Sequence, residues 1–308
     1  MTGICEMKNI VYIFPSRRGR KNFQISLIIL FLIFLTGASF YLRLYNFKNK
    51  KAHLATIDEN VYYVLGLQLK KNLSNYSVSD YAETLKTQGY AIPAYFKEPL
   101  FKHPPLFPLF LAGALTALGE KGTSAITIVI TFGVLLILLT YFFGKLIYDR
   151  KTGLLAALFL SLDPINIICA QKVWMETTLA FFTCLTIALF AYALKKEKNS
   201  FFLFSGIASG LATLTKYPGI LGTAVILIYA LVKRRDLFKV KTFWAGLIMP
   251  LIFLLPWMFW NYSVYGFNFF PRQASIHDFL PAYPNVRLIL LFFFFDGIDF
   301  RNWNPITK

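Results

Sequence analysis

The sequence predicts an all-α polytopic membrane protein with about 7–8 transmembrane helices, and three observations carry that prediction. Of 308 residues, 56% are apolar and only 15% charged, where soluble domains carry roughly 45–50% and about 25%. Mean hydropathy is +0.54, and the apolar residues gather in runs long enough for a hydrocarbon core of about 30 Å. The third observation is the distribution of charge. The net charge of +17, from 32 Lys and Arg against 15 Asp and Glu, is split into short clusters between apolar runs. That arrangement encodes membrane topology and argues against a nucleic-acid partner. Cys5, Cys169 and Cys184 form no CxxC pair, so no disulfide framework or thiolate metal site is implied.

The elements follow in order. Arg17, Arg18, Arg20 and Lys21 precede an apolar run over 25–45. A signal peptide has a shorter core of roughly 7–15 residues and a small-residue cleavage site; neither is present. The run is read as an uncleaved first span, which leaves 1–24 as a cytoplasmic N-terminus. Further spans are expected over 123–146, 153–171, 174–194, 201–217, 218–232 and 242–262, with a turn at Tyr217-Pro218-Gly219. A last apolar stretch, 286–295, is shorter.

The segment 104–119 decides the topology. It is apolar but carries Pro104, Pro105 and Pro108, and it falls below the usual 17–25 residues of a span. If it does not cross, Lys145 with Arg150 and Lys151, Lys195 with Lys196 and Lys198, and Lys233 with Arg234 and Arg235 share the side of the basic N-terminus. If it crosses, all three clusters move outside, against the positive-inside rule. The first arrangement is therefore expected, with 104–119 lying along the outer surface as an interfacial helix. Residues 46–122 then form a large outer loop, and 25–308 read as one membrane domain without internal repeats.

Several ionisable residues fall at that outer surface. Asp58 and Glu59 begin a helix-like run, where the positive helix end favours ionised carboxylates; plain N-capping by Asp58 is the alternative. His103 stands before Pro104 and Pro105, at a rigid helix start. Glu176 follows Lys172 by four residues, a spacing that fits either a helical ion pair or an acid facing the first pair. Lys216, at the end of a span beside the Tyr217 turn, suits a lipid phosphate, or simply snorkels. Asp163-Pro164 reads as a cap that restarts a broken helix within the 153–171 run.

Taken in order, Arg43-Leu44-Tyr45, Asp58-Glu59 with Tyr62-Tyr63, His103-Pro104-Pro105-Leu106, Met175-Glu176, Leu214-Thr215-Lys216-Tyr217 and Pro256-Trp257 with Asn261-Tyr262 and Tyr265-Gly266 resemble the GT-C glycosyltransferases. The similarity is to the protein O-mannosyltransferase, aminoarabinose transferase and RgtA/B/C/D-like group, over roughly residues 40–266. It implies a GT-C-like bundle whose large outer loop contains interfacial helices, with C-terminal spans missing or reduced. It also implies a sugar donor on a polyprenyl phosphate and inverting transfer to an acceptor hydroxyl on a glycolipid, a protein or a cell-wall glycan. By position, Asp58 is the base, Lys216, Lys172 and Arg43 serve the lipid phosphate, and Glu59, Glu176 and His103 serve the acceptor or a cation. Members commonly place an arginine five residues before the second outer acid; this chain has Gln171 there, followed by Lys172. No cofactor is required, and a divalent cation is compatible with these residues. The expected location is the plasma (inner) membrane, with the site on its outer face among membrane lipids. The rival readings are a lipid or solute transporter or flippase, and a non-catalytic GT-C-like subunit.

Overall fold

A computed structural model describes residues 17–49, 56–79, 81, 83, 87, 100 and 103–265. The expected stretch 286–295, most of the N-terminal tail, His53, His277 and Gly266 lie outside the described residues.

The described chain is helical: α1 (Arg17–Asn49), α2 (Ile57–Lys71), α3 (Leu106–Leu118), α4 (Gly122–Ile147), α5 (Arg150–Leu162), α6 (Pro164–Ala170), α7 (Glu176–Lys196), α8 (Ser200–Thr215), a 3₁₀ turn at Tyr217–Ile220, α9 (Leu221–Lys233), a second 3₁₀ turn at Arg235–Lys239, and α10 (Lys241–Tyr265). Each run expected to cross the membrane forms helix. Among the described residues, four helices are long and apolar enough to cross by themselves: Gln24–Tyr45 within α1, then α4, α7 and Lys241–Val264 within α10. The pair α5 and α6 forms a fifth only as a span bent by 60°. The break falls where the cap was expected: the Asp163 carboxylate accepts the Asn166 N–H at 2.8 Å, and Pro164 begins α6. Helix α8 and the Tyr217–Lys233 segment are shorter apolar helices.

The short helix α3 has 13 residues, or about 20 Å at 1.5 Å per residue, too little for the hydrocarbon core. Gly119, at φ 88°, ends it in a conformation that costs glycine nothing. Phe107 and Leu111 of α3 pack with Val61 and Leu65 of α2 and with Ala125, Ile126 and Val129 in the first turns of α4. Leu32 and Leu35 of α1, by contrast, meet Ile137 and Tyr141 near the other end of α4. So α1 runs antiparallel to α4, and the chain leaves α1 at the end where α4 begins. Helix α3 packs beside the first turns of α4 at that same end.

The two ends of the bundle differ in chemistry. At the end holding the α4 and α7 C-termini, the Lys195 ammonium donates to the carbonyls of Leu146 and of Ile147, the latter at 3.3 Å. A cation there satisfies orphan carbonyls and the negative helix end together. Asp149 caps α5 through the Thr152 N–H at 2.8 Å, and Arg234 forks onto Asp236 at 2.8 and 2.7 Å.

Between the ends, the later helices are drawn together by small residues and hydroxyls. The Ser205 hydroxyl donates to the Thr186 carbonyl at 2.8 Å, and Ser209 and Thr223 share a hydrogen bond of 2.7 Å. Helices α8 and α10 approach at Gly206 and Gly246: a Cβ on Gly206 would lie 2.5 Å from the Gly246 Cα, and one on Gly246 would lie 3.0 Å from the Phe202 carbonyl carbon. Small residues that let backbones touch are the usual means of joining helices in lipid, which offers no hydrophobic drive for it. Much of α1, including Leu27, Leu30, Ile33 and Phe34, is exposed, as expected of a lipid-facing helix.

Candidate active site

The candidate residues converge on the end opposite the lysine clusters. Helix α2 starts there with a capping box, in which a threonine and the glutamate three residues on satisfy each other's backbone N–H groups. The Glu59 N–H donates to Thr56 Oγ1 at 3.3 Å, and the Thr56 N–H and hydroxyl both donate to Glu59 Oε2 at 3.0 Å. The cap is therefore Thr56, not Asp58 as the alternative reading had it. The T-x-x-E spacing of Thr56 and Glu59 is the signal that identifies it. Asp58 sits in the first turn of α2 and is exposed.

Glu59, by contrast, turns its carboxylate into the protein. It is 3% exposed, and its other oxygen, Oε1, accepts the Val173 N–H at 3.1 Å. The neighbouring Trp174 Nε1 donates to Thr56 Oγ1 at 3.2 Å. The start of α2 is thus bonded to the 171–175 turn. That turn is not helical, so Glu176 and Lys172 lack the helical i, i+4 geometry. Instead, Glu176, the first residue of α7, is ion-paired with Lys216 at 3.3 Å. The Lys172 ammonium lies over the Trp174 ring, 4.6 Å from its centroid, in a cation–π contact. The Lys216 side chain is 12% exposed and that of Glu176 39%, so the carboxylate is the more accessible partner.

An aromatic wall stands beside this pair. Tyr76 packs edge-on against Trp257 at 4.9 Å and Trp260 at 6.1 Å, and Trp257 Nε1 donates to the Tyr217 hydroxyl at 3.0 Å. The Tyr76 hydroxyl donates to the carbonyls of His103 at 3.0 Å and Pro104 at 3.3 Å. Burial pushes the Tyr76 phenol well above its ordinary value, so it remains a neutral donor at physiological pH. The His103 ring meets Tyr62 of α2 edge-on at 5.2 Å. Removing the phenolic oxygen in Tyr217→Phe is expected to cost about 1 kcal/mol. It should appear as a lowered unfolding temperature of purified protein with helix content unchanged.

Arg43 stands apart from this cluster. It is 0% exposed and donates to the Ser39 carbonyl at 3.1 Å, to the Ser39 hydroxyl and to Asn166 Oδ1 on α6. Gln171 Nε2 adds a bond to the Leu42 carbonyl at 3.1 Å. Arg43 therefore ties the end of α1 to the broken span, while its buried Nε makes no hydrogen bond to the protein. Among the described residues no three His, Cys, Asp or Glu side chains gather as a metal-binding group. The contacts of Thr56, Trp174, Tyr76 and Trp257 within the cluster join segments far apart in the chain, and no periodic pattern in the sequence marks them.

Comparison with known proteins gives this arrangement a context. A protein of Aquifex aeolicus (strain VF5), described as an uncharacterized protein, is 30% identical over 191 residues. The aligned part is 60% of this chain and 38% of that relative, so the chain spans well under half of the relative's length. Residues 102–260 match the dolichyl-phosphate-mannose-protein mannosyltransferase family, a stretch that holds His103, Lys172, Glu176, Lys216, Trp257 and Trp260, with Asp58, Glu59 and Tyr76 preceding it. With half of its length in that match and an all-helical bundle of apolar spans, the chain is an integral membrane protein that belongs to the dolichyl-phosphate-mannose-protein mannosyltransferase family, of the GT-C type.

Proposed function

We propose that this chain transfers a sugar from a polyprenyl-phosphate donor to an acceptor hydroxyl, with inversion, using Asp58 as the base. The observation that carries the reading is the meeting, at one end of the bundle, of the α2 start bearing Asp58, the turn before Glu176, and Lys216. The positive-inside rule makes that end the outer one, because Lys195, Lys233 and their neighbours occupy the other. Asp58, in the first turn of α2, takes the proton of the acceptor hydroxyl. The oxygen attacks the anomeric carbon from the face opposite the phosphate, and the bond from that carbon to the phosphate oxygen breaks. The electron pair leaves with the polyprenyl phosphate, already a stabilised anion, so the second carboxyl that a glycosidase uses to protonate its leaving group is not needed. Lys216 balances the growing phosphate charge, and Glu176, its more exposed partner, yields the ammonium to it. Lys172, at the same turn, adds a point charge rather than a bidentate fork. His103 borders the acceptor side.

Family membership supports the donor class, and the acidic and cationic groups at one end support the site. The test is release of free polyprenyl phosphate by full-length protein in lipid vesicles, given a panel of polyprenyl-phosphate sugars with and without a crude envelope acceptor. Acceptor-dependent release from one donor is the expected result, and the same assay with a chelator reads the role of a divalent cation. A panel with no release from folded protein overturns the reading in favour of a non-catalytic subunit. Movement of the lipid across the bilayer without release overturns it in favour of a flippase.

A further inference from the structure

We infer that Glu59 is a positioning residue, the clamp that sets Asp58 against the Glu176–Lys216 pair; the inference rests on the catalytic reading of Asp58 proposed above.

Three observations carry it. First, the Glu59 carboxylate is committed to the protein. Oε2 accepts both the N–H and the hydroxyl of Thr56, and Oε1 accepts the Val173 N–H. These three bonds take most of the about four acceptor positions a carboxylate offers, on a side chain that is itself buried. Second, this one side chain touches both halves of the site. Asp58 is its neighbour in α2, and Val173 lies in the turn that delivers Glu176 to Lys216. Third, the bond is reinforced beside it: Trp174 Nε1 reaches Thr56 Oγ1 at 3.2 Å, and the Lys172 ammonium covers the Trp174 ring. Glu59 is 3% exposed, whereas Asp58 is exposed. The two adjacent acids divide the work, one facing the reactants and the other holding the frame.

The distinction matters because the cost of misplacing a base is steep. A displacement of about 1 Å by a change away from the reacting atoms can lower a rate by about a hundredfold. A frame defect of that kind acts on turnover, since Lys216, proposed for the donor phosphate, keeps its place at the end of α8 beside Glu176. A lost ligand acts on the acceptor or the cation instead.

The test uses the full chain in lipid vesicles with Glu59→Ala and Glu59→Gln, reading polyprenyl-phosphate release and amide hydrogen exchange at Val173. For Glu59→Ala, kcat is expected to fall about a hundredfold while KM for donor and acceptor stays within about threefold. Exchange at the Val173 amide should rise, with α8 and α10 still protected. Glu59→Gln keeps one carbonyl acceptor and the capping-box spacing; it should recover a large part of the rate and of the protection, and it carries the same readouts if the alanine variant does not fold. Equal inactivity of both variants with a raised acceptor KM or an altered divalent-cation requirement overturns the clamp in favour of a ligand role. Unchanged Val173 exchange in Glu59→Ala overturns it as well. If wild-type protein releases nothing from any donor, the catalytic reading of Asp58 fails, and Val173 exchange still decides whether Glu59 clamps the frame.

Discussion

Asp58→Asn is expected to lower acceptor-dependent release of polyprenyl phosphate by about 10²–10⁴-fold, the usual contribution of a positioned general base. The amide matches the carboxylate in shape but cannot take a proton near neutral pH, so the change isolates proton transfer from packing. The fold should not respond, because the cap of α2 is made by Thr56 and Glu59 and the Asp58 side chain is exposed. The product polyprenyl phosphate should still bind, since the cation proposed for it, Lys216, and its partner Glu176 are unchanged in the variant. Initial rates and product affinity on the same preparation check both halves. Turnover at the wild-type rate in the variant would remove Asp58 from the chemistry and leave Glu176 as the acid to examine.

The largest effect on stability is expected from Gly206→Val or Gly246→Leu. Helices α8 and α10 touch backbone to backbone at this crossing, with no side chain between them to rotate away. Overpacking a core ordinarily costs about 1–3 kcal/mol, occasionally more, and a clash with backbone belongs at the upper end. Separating the pair also opens the contact of Phe202 with Phe243, whose rings lie 5.7 Å apart, and loosens the α10 segment that presents Trp257 to Tyr217. A loss of monodisperse, thermally stable protein is therefore expected, together with lost activity. Gly37→Ala supplies the control, because nothing lies within 4 Å of a Cβ at that position. Equal thermal stability of the Gly246→Leu and wild-type proteins would show that the crossing tolerates separation and carries little of the fold.

Local chemistry was the legible part of this protein. Pro104, Pro105 and Pro108 together with the shortness of 104–119 marked a short helix, and α3, with 13 residues, is that helix. Asp163-Pro164 marked the break between α5 and α6. Both are decided within a few residues, by φ restriction and by capping. The partners within the site were not legible in the same way. Glu176 stands four residues from Lys172, yet its ion pair is with Lys216, because the intervening turn is not helical and α8 delivers the other lysine. Glu59 looks like half of an acidic pair until the fold brings the Val173 N–H to it. Arg43 closes the first motif of the resemblance, yet burial commits it to Ser39 and Asn166. Such pairings depend on how helices cross, and helix periodicity alone holds no record of that.

The bond from the Val173 N–H to Glu59 joins residues 114 positions apart in the chain. Chains are made from the N-terminus at about 5–20 residues per second, so α2 emerges and waits roughly 6–23 seconds for its partner. During that interval the acidic pair has neither the 171–175 turn nor Lys216 beside it. The proposed base therefore belongs to a part of the molecule that is finished late. A ribosome stalled before residue 173 would display the acids on a nascent chain that has nothing to clamp them, because the Val173 N–H has not yet been made.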